Sequence, residues 1–546
     1  MKNLLTECQN LSQFFHRFVI KAPGKFIDKP VLKIDRLGRK ETLSFGQLAE
    51  KAQEFAMHLI LKREVQPGDK IAILGKNRAD WDIAFWGTIL IGAIPVLIDP
   101  ERKVRAVKNR LSQTEAKILI MADDYQNEES RQHLKKSAKT QTIEMTAYEK
   151  PGPINSILKT YQNKIRTDDT AVILCTSGTT GDPREVELTH RNLIYNLQGA
   201  LETVKIGPKD KLGHILPPHH AFGLTVGKLL PLRVGATNIY TNKYHQITEF
   251  IKKEKITIFV AVPAFFTLLA RKMEEELSRK KEKNWFIKLL DYFFPKIMGK
   301  MIIRKQGWQS LRFFVSGAAA VPKWVLPVFW KRGLKLQEGY GTTENSPVYG
   351  FNTNPKKLGS VGRPIPTLLV KIVDNEILLG GPCIMKGYYR NPEATQKVIE
   401  VDEKEMRWLY TGDLGYLDKD GYLFITGRKK YIIVLPGGKN VNPELVESAL
   451  SQAEFVKEIL VVPAYDSEGQ ETVKAIVFPN LDQIEAKNSP EELKELVWQN
   501  IKECQQKNQE LSLFERVSSK EFLEIRTEEF AKTSTGKIKR EVYLPK

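Results

Sequence analysis

The sequence predicts an α/β protein in two unequal parts. The larger is an N-terminal domain of several subdomains, with mixed and parallel sheets and covering helices. The smaller is an α+β domain at the C-terminus. Three observations carry this. At 546 residues the chain is too long for a single hydrophobic core. Short apolar runs alternate with amphipathic stretches, the pattern of parallel strands joined by helical crossovers. From Gly339 the texture changes to short runs split by turn residues, which reads as antiparallel strands. The boundary falls at Arg428 and Lys429, so the expected domains are 1–428 and 429–546.

Taken in order, KIAILGKN (Lys70 to Asn77) is a strand. WDIAFWGTILIGAIPVLI (Trp81 to Ile98) is about as long as the shortest membrane-spanning helix. It contains Asp82, however, and breaks at Gly92 and Pro95. A buried helix from Trp81 to Ile91 and a buried strand from Ala93 to Ile98 fit it better, and no transmembrane helix is predicted. AKILIMADD, ITIFVAVPA and LRFFVSGAA supply further strands. Ligands of such sheets sit beyond the carboxyl ends of the strands, where TSGTTG, VPAF and SGAA fall. In YLDKDGYLFITGRKKYIIVLPGGKN, Lys419, Asp420 and Gly421 form a turn between two strands. NSPEELKELVWQNIKEC is a helix. Ser489 and Glu492 form a capping box, Pro490 takes the first helical position, and Leu493, Val497 and Ile501 share a face.

The charge is unbalanced: 84 basic against 65 acidic residues, a net +19. Such a surplus suits nucleic acid, an anionic membrane or acidic small molecules, and equally a surface of solvated lysines. Cys8, Cys175, Cys383 and Cys504 are far apart and form no CxxC pair, so they read as thiols of a reducing compartment. MKNLLTECQN has no apolar core long enough for a secretory signal, and a cytoplasmic location is expected. In segment 271–305 basic residues alternate with Trp285, Phe286, Leu289, Leu290, Phe293, Phe294 and Ile297. Their spacing makes an apolar stripe with a cationic flank. It can lie on an anionic bilayer, as a peripheral contact at the inner face of a membrane, or pack on the protein's own core.

The chemistry starts at AVILCTSGTTGDPREVELTH (Ala171 to His190). An apolar run leads into a loop whose glycines let backbone N–H groups point inward, and Ser177, Thr179 and Thr180 add hydroxyl donors. This is a cradle for polyphosphate. It is not a Walker A loop, because REVEL reads as a strand and the next helix starts near Thr189. If REVEL is a strand, Arg184 and Glu185 face opposite ways, and the carboxylate can pair with a basic neighbour instead of the phosphates. His219 and His220 have neither an HExxH frame nor a third ligand at recognisable spacing, so no zinc site is read there.

TSGTTGDP with LTHRN, QEGYGTTEN (Gln337 to Asn345), YTGDLGYLDKDGYLFITGRKK (Tyr410 to Lys430), GGKNVNPELVE (Gly437 to Glu447) and TSTGKIKR (Thr533 to Arg540) occur in that order. Together they closely resemble the adenylate-forming superfamily, which includes acyl-CoA synthetases, luciferases and peptide-synthetase adenylation domains. The resemblance spans essentially the whole chain. It implies attack of a carboxylate on the α-phosphorus of ATP, then displacement of AMP by a thiol. By the same resemblance Thr176, Ser177, Gly178, Thr179, Thr180 and Gly181 hold the β- and γ-phosphates. Gly317, Ala318, Gly339, Tyr340, Gly341 and Thr342 border the nucleotide, with Tyr340 against adenine. Thr343 touches the α-phosphate, Glu344 holds Mg²⁺, Asp413 takes both ribose hydroxyls, and Arg428 steadies the ribose and phosphates. Lys537 matches the lysine that bridges the attacking carboxylate and the α-phosphate. Lys430 matches the hinge between the two domains, and Gly437 and Gly438 match a loop of the thiol channel. His220, Phe222, Gly223 and Phe265 line the acyl pocket, which Ser316 to Ala319 also border.

LRFFVSGAAAVP and the basic, aromatic insert before it resemble long-chain fatty acyl-CoA synthetases. LPPHHAFGLTVGKLLPLRVGA also resembles acyl-ACP synthetases, and an acidic carrier protein suits a basic enzyme equally. The implied ligands are ATP, Mg²⁺, a fatty acid and CoA as co-substrate, or acyl carrier protein in its stead. No nucleic-acid partner is implied. A non-catalytic relative that binds acyl groups is the remaining alternative, opposed by the intact Glu344, Asp413 and Lys537. Two departures stand out: Pro183, Arg184 and Glu185 replace the usual PKG, and Tyr431 follows Lys430 where many members carry an acidic residue.

Overall fold

The computed structural model describes residues 7–21, 24–36, 39–136, 140–146, 148, 156–175, 184–243, 246–283, 285–436, 438–481, 484, 489–509, 511–533 and 536–545. Thr176 to Gly181, the expected phosphate residues, and Gly437 lie outside them.

Two large sheets dominate. In the seven-stranded sheet the strands run in the order Gly387–Tyr388, Glu185–Thr189, Thr170–Cys175, Ile94–Ile98, Lys70–Leu74, Ile118–Met121 and Gln141–Glu144. Its centre is parallel, and its strands are near-continuous apolar runs; Ile118–Met121 is buried throughout. That is expected of strands covered on both faces. The eight-stranded sheet orders Gly350–Phe351, Leu336–Tyr340, Phe313–Ser316, Ile258–Ala261, Lys211–His214, Thr237–Thr241, Pro30–Arg36 and Arg39–Ser44. It too is parallel except at its two ends. A third sheet, around the long strand Arg407–Leu417, is antiparallel. All four strands anticipated from Lys70, Ala116, Ile256 and Leu311 onward are present, two in each of the large sheets.

The membrane-like run resolves as the helix Ala79–Leu90 and the strand Ile94–Ile98, both interior. Asp82 explains why it is not a span. Its Oδ2 accepts hydrogen bonds from Lys228 Nζ at 2.8 Å and from the Tyr240 hydroxyl at 2.9 Å, and the Lys228 ammonium sits over the rings of Trp81 and Tyr240. No helix among the described residues is long and apolar enough to cross a membrane.

Beyond Arg428 the chain builds a hairpin from Ile433–Leu435 and Lys439–Val441, and a three-stranded sheet from Val456–Tyr465, Glu471–Pro479 and Leu523–Ile525. These enclose their own apolar core with the helices Pro443–Leu450 and Pro490–Lys507. The capping box at Ser489 and Glu492 is formed, and Val497 and Ile501 are buried. This unit meets the larger one along the helix Pro443–Leu450 and the residues after it. Ser448 Oγ accepts from Lys323 N at 3.1 Å, Ser451 Oγ from Trp324 Nε1 at 3.1 Å, and the Ser451 carbonyl from Arg271 Nη2 at 2.5 Å.

Candidate active site

The site is built where the antiparallel pair Arg407–Leu417 and Leu423–Arg428 faces the end of Leu336–Tyr340. Pairing register sets Asp413 opposite Arg428. The Asp413 carboxylate is buried; its Oδ1 lies 2.7 Å from Arg428 Nε, and its Oδ2 accepts from the Tyr340 hydroxyl at 2.6 Å. Burial opposes the Arg428 charge, but Asp413 and Glu444 outweigh it and keep the guanidinium protonated. Burial, and then the Asp413 charge, raise the Tyr340 phenol well above its ordinary pKa, so it stays a donor.

Lys537 arrives from the far end of the chain. It follows a tight turn in which Gly536 N donates to the Thr533 carbonyl and Thr533 N to the Lys537 carbonyl, both at 2.8 Å; Gly536 has a φ of +78°. The Lys537 side chain keeps solvent access in a crowded cleft. The crowding, and next the positive charge of Arg428, lower its pKa, while Glu444 and Asp413 pull the other way. Tyr340, Asp413 and Arg428 are thus in direct contact, and Lys537 lies within electrostatic reach of Asp413 and Arg428. Such a cluster can grip a polyhydroxylated, phosphorylated ligand: the carboxylate accepts, and the two cations neutralise.

The segment after Tyr340 is shaped by sterics. A Cβ on Gly341 would fall 1.5 Å from the Pro347 carbonyl oxygen, so no other residue fits there. The Thr342 N–H donates to Asn345 Oδ1 at 2.6 Å and starts the short 3₁₀ turn Thr343–Asn345. This sets the half-buried Thr343 and Glu344 at the cleft. Glu344 Oε1 accepts from the Tyr388 hydroxyl at 3.1 Å, and the Arg184 guanidinium lies 5.0 Å over the Tyr388 ring. Cys175 and Glu185 are paired across adjacent strands. Glu185 turns elsewhere and forms an ion pair with Arg110 on the helix Val104–Thr114. The strand reading of REVEL and the separate partners of Arg184 and Glu185 both hold.

On the apolar side, Phe222 packs on Gly317: a Cβ there would lie 2.7 Å from its ring. Gly223 is equally constrained by the Pro217 carbonyl, at 2.1 Å from the corresponding Cβ position. His219 and His220 rings are 4.5 Å apart. Burial first, and then His220, push His219 down to about 3. Burial pushes His220 down to about 4, with Asp99 opposing. Both are neutral at pH 7, and no group of three candidate ligands that could hold a metal exists among the described residues. Phe265 belongs to the neighbouring core, with Phe259 at 5.4 Å and Phe266 at 5.2 Å. It meets the Gly317 region through the backbone, where Gly317 N donates to the Ala261 carbonyl. Ala318 holds a left-handed φ of +73° at the exposed end of that loop.

Three residues escaped the sequence reading. Glu338 sits inside the quoted QEGYG motif yet is buried; burial pushes its carboxyl up to about 7, against one hydrogen bond from Val321 N at 2.8 Å. It thereby ties the Ser316–Val321 loop to the strand beneath. Tyr388 positions Glu344, with no motif to flag it. Glu541 accepts from the hydroxyl of Tyr431 and lies 3.7 Å from Lys430 Nζ, so Lys430 has a carboxylate beside it from a distant part of the chain. Gly438 turns the hairpin there with a φ of +75°.

Comparison with known proteins identifies the family and the fold. The sequence model of the AMP-binding enzyme family matches residues 20–389, and that of the AMP-binding enzyme C-terminal domain matches 430–546. A long-chain-fatty-acid–CoA ligase of Bacillus subtilis is 28% identical over 83% of this chain and 83% of its own. A chloroplastic long-chain-fatty-acid–[acyl-carrier-protein] ligase of Arabidopsis thaliana is 26% identical over 84% of this chain and 76% of its own. Among solved structures, the O-succinylbenzoate coenzyme A synthetase of Bacillus subtilis, in complex with ATP and magnesium ion, superposes with a TM-score of 0.72 at 21% identity, covering 97% of this chain and 98% of that one.

Proposed function

The chain belongs to the AMP-binding enzyme family, and on that premise we propose that it joins a long-chain fatty acid to coenzyme A at the expense of ATP. The carrying observation is the contact of Asp413 with Arg428 and Tyr340, with Lys537, from the other part of the chain, within electrostatic reach of Asp413 and Arg428. In this reading Asp413 receives the ribose hydroxyls and Tyr340 flanks the adenine, with Gly317, Ala318, Gly339, Gly341 and Thr342 closing around it. Thr176 to Gly181 and Arg184 meet the pyrophosphate end. A fatty-acid carboxylate oxygen attacks the α-phosphorus, and the bond to pyrophosphate breaks. Lys537 sits between the two anions as a compact point charge, and Thr343 donates to the α-phosphate. Glu344, a single carboxylate held on one oxygen by Tyr388, suits a magnesium ion that takes its remaining ligands from phosphate and water. That ion would neutralise charge on the leaving pyrophosphate.

In the second step the thiol sulfur attacks the acyl carbon, and AMP leaves with the phosphate oxygen. Rotation about Lys430 withdraws Lys537 and brings the Gly437–Gly438 loop to a channel for the pantetheine arm. The acyl chain runs past His220, Phe222, Gly223 and Phe265. The neutral histidines suit an apolar chain, and each buried methylene contributes about 0.8 kcal/mol. The net +19 and the acyl-carrier-protein ligase among the relatives favour one second reading, in which an acidic carrier protein supplies the thiol.

One assay separates them. Purified protein with ATP and magnesium is offered fatty acids of graded length, with CoA or carrier protein added separately. Pyrophosphate release that requires a long acid, with thioester on CoA, is the expected result. Thioester on carrier protein alone selects the second reading, and no acid-dependent release defeats both.

A further inference from the structure

We propose that the helices Trp285–Phe293 and Pro295–Gln306 form a foot that seats the protein on an anionic lipid bilayer. Water-soluble helices bury their apolar stripe and expose the polar one. Along Trp285–Phe293 the reverse holds, whereas Pro295–Gln306 buries Met298, packs Ile302 and Ile303 on the core and exposes Lys296, Lys300 and Arg304. Trp285, Leu289, Tyr292 and Phe293 share one helical face and are all exposed, Trp285 at 72%, Tyr292 at 74% and Phe293 at 63%. Phe294, Ile297 and Met301 extend the same surface and are about half exposed. The opposite side holds what would ordinarily face water. Asp291 is buried, 3.4 Å from Arg332, whose other terminal nitrogen lies 2.8 Å from Glu274 Oε1. Gly299 is pressed against the Arg332 carbonyl so closely that a Cβ would fall 1.8 Å from it. Asp291 and Gly299 therefore anchor the pair to the body of the protein, and the aromatic side is left outward.

Charge selects the occupant. Segment 271–305 carries eleven basic against five acidic residues. Lys296, Lys300 and Arg304 are exposed among the aromatic residues themselves. Amphipathic aromatic rings in a cationic rim match an interface of acyl chains beneath anionic headgroups. A second copy of this chain would bring the same positive rim against itself. The preceding helix, Pro263–Lys283, is 21 residues long, about 30 Å, and carries Phe265 at its start and the foot at its end. Its Leu268, one turn past Phe265, is also exposed. The foot would thus stand at one end of a helix whose other end borders the proposed acyl pocket, about 30 Å away. That last link rests on the fatty-acid reading; the foot itself does not.

The test is co-sedimentation of the full chain with phosphatidylcholine vesicles, with and without phosphatidylglycerol, in the absence of ATP and acid. Wild type should bind the anionic vesicles and release at ~1 M salt, where screening acts within ~3 Å. The triple variant Trp285→Ser, Tyr292→Ser, Phe293→Ser should bind about tenfold more weakly or worse. Lys296→Glu with Lys300→Glu should lose only the preference for anionic lipid. All replaced side chains are exposed, so circular dichroism and thermal unfolding should match wild type. Equal binding by wild type and the triple variant, or no binding by wild type, would overturn the proposal. So would a wild-type dimer by light scattering that the triple variant abolishes without any vesicle binding. Because no substrate is present, failure here is distinct from failure of the ligase assay.

Discussion

The molecule contains two clusters of aspartate, cation and tyrosine, and they behave differently. Asp82 accepts from Lys228 and Tyr240 on one oxygen, inside a box of Trp81 and Tyr240 rings, with Asp82 and Lys228 almost wholly without solvent access. Asp413 meets Arg428 on one oxygen and Tyr340 on the other, at the wall of a cleft where the Arg428 side chain is 24% exposed and Lys537 stands nearby. The first cluster holds together two sheets' worth of core; the second leaves room for a ligand. Residue types alone do not separate structure from site. Access, and a cation carried in on another part of the chain, do.

Three experiments sharpen that contrast. The largest expected effect is on stability. Asp82→Ala leaves Lys228 buried without a counter-ion and should cost about 3–5 kcal/mol. Asp413→Ala leaves Arg428 beside Glu444 and partly solvated, and should cost far less. Urea unfolding of both variants checks this, and similar losses would erase the distinction. Next comes activity. Lys537→Ala should slow acyl-adenylate formation ~100- to 1,000-fold, as loss of one preorganised charge does. Transfer from a supplied acyl-adenylate to the thiol should be spared; matching losses in both half-reactions would remove Lys537 from its proposed step. The smallest effect concerns Glu338, which resembles Asp82 in burial but has no cation. Its folded pKa of about 7 lies above its ordinary 4.5, so the native state binds the proton more tightly than the unfolded chain. Stability from this group is therefore present below about 4.5 and declines as pH rises to about 7. The difference is on the order of 3–4 kcal/mol. Glu338→Gln keeps an acceptor for Val321 N and should flatten that decline; an unchanged pH profile would show that the carboxyl is not the source.

Much of the site was legible because its parts are local patterns. Motifs such as QEGYGTTEN and TSTGKIKR are short, and their order along the chain singles out Asp413, Glu344 and Lys537 as candidates without any distance. The helix after Ser489 was equally readable, since a capping box links residues three apart. Glu338 and Glu541 were not, because their roles depend on partners the local text does not contain. Glu338 looks like any strand glutamate until burial leaves it with one backbone donor. Glu541 acquires its role only when the chain's end returns to Lys430 and Tyr431.

The sequence by itself determined the class of fold, the succession of elements and the chemical identity of the cleft's residues, because helix caps, strand alternation and glycine turns act over a few neighbouring residues. Only the tertiary structure decided what those residues face. It gave Glu185 to Arg110, seventy-five positions earlier, in place of the phosphate loop. It brought Lys537 beside Arg428 and buried Asp82 against Lys228. It also turned the stripe at Trp285, Tyr292 and Phe293 outward. Periodicity assigns side chains to a common face of a helix, but what covers that face is set by packing between distant segments.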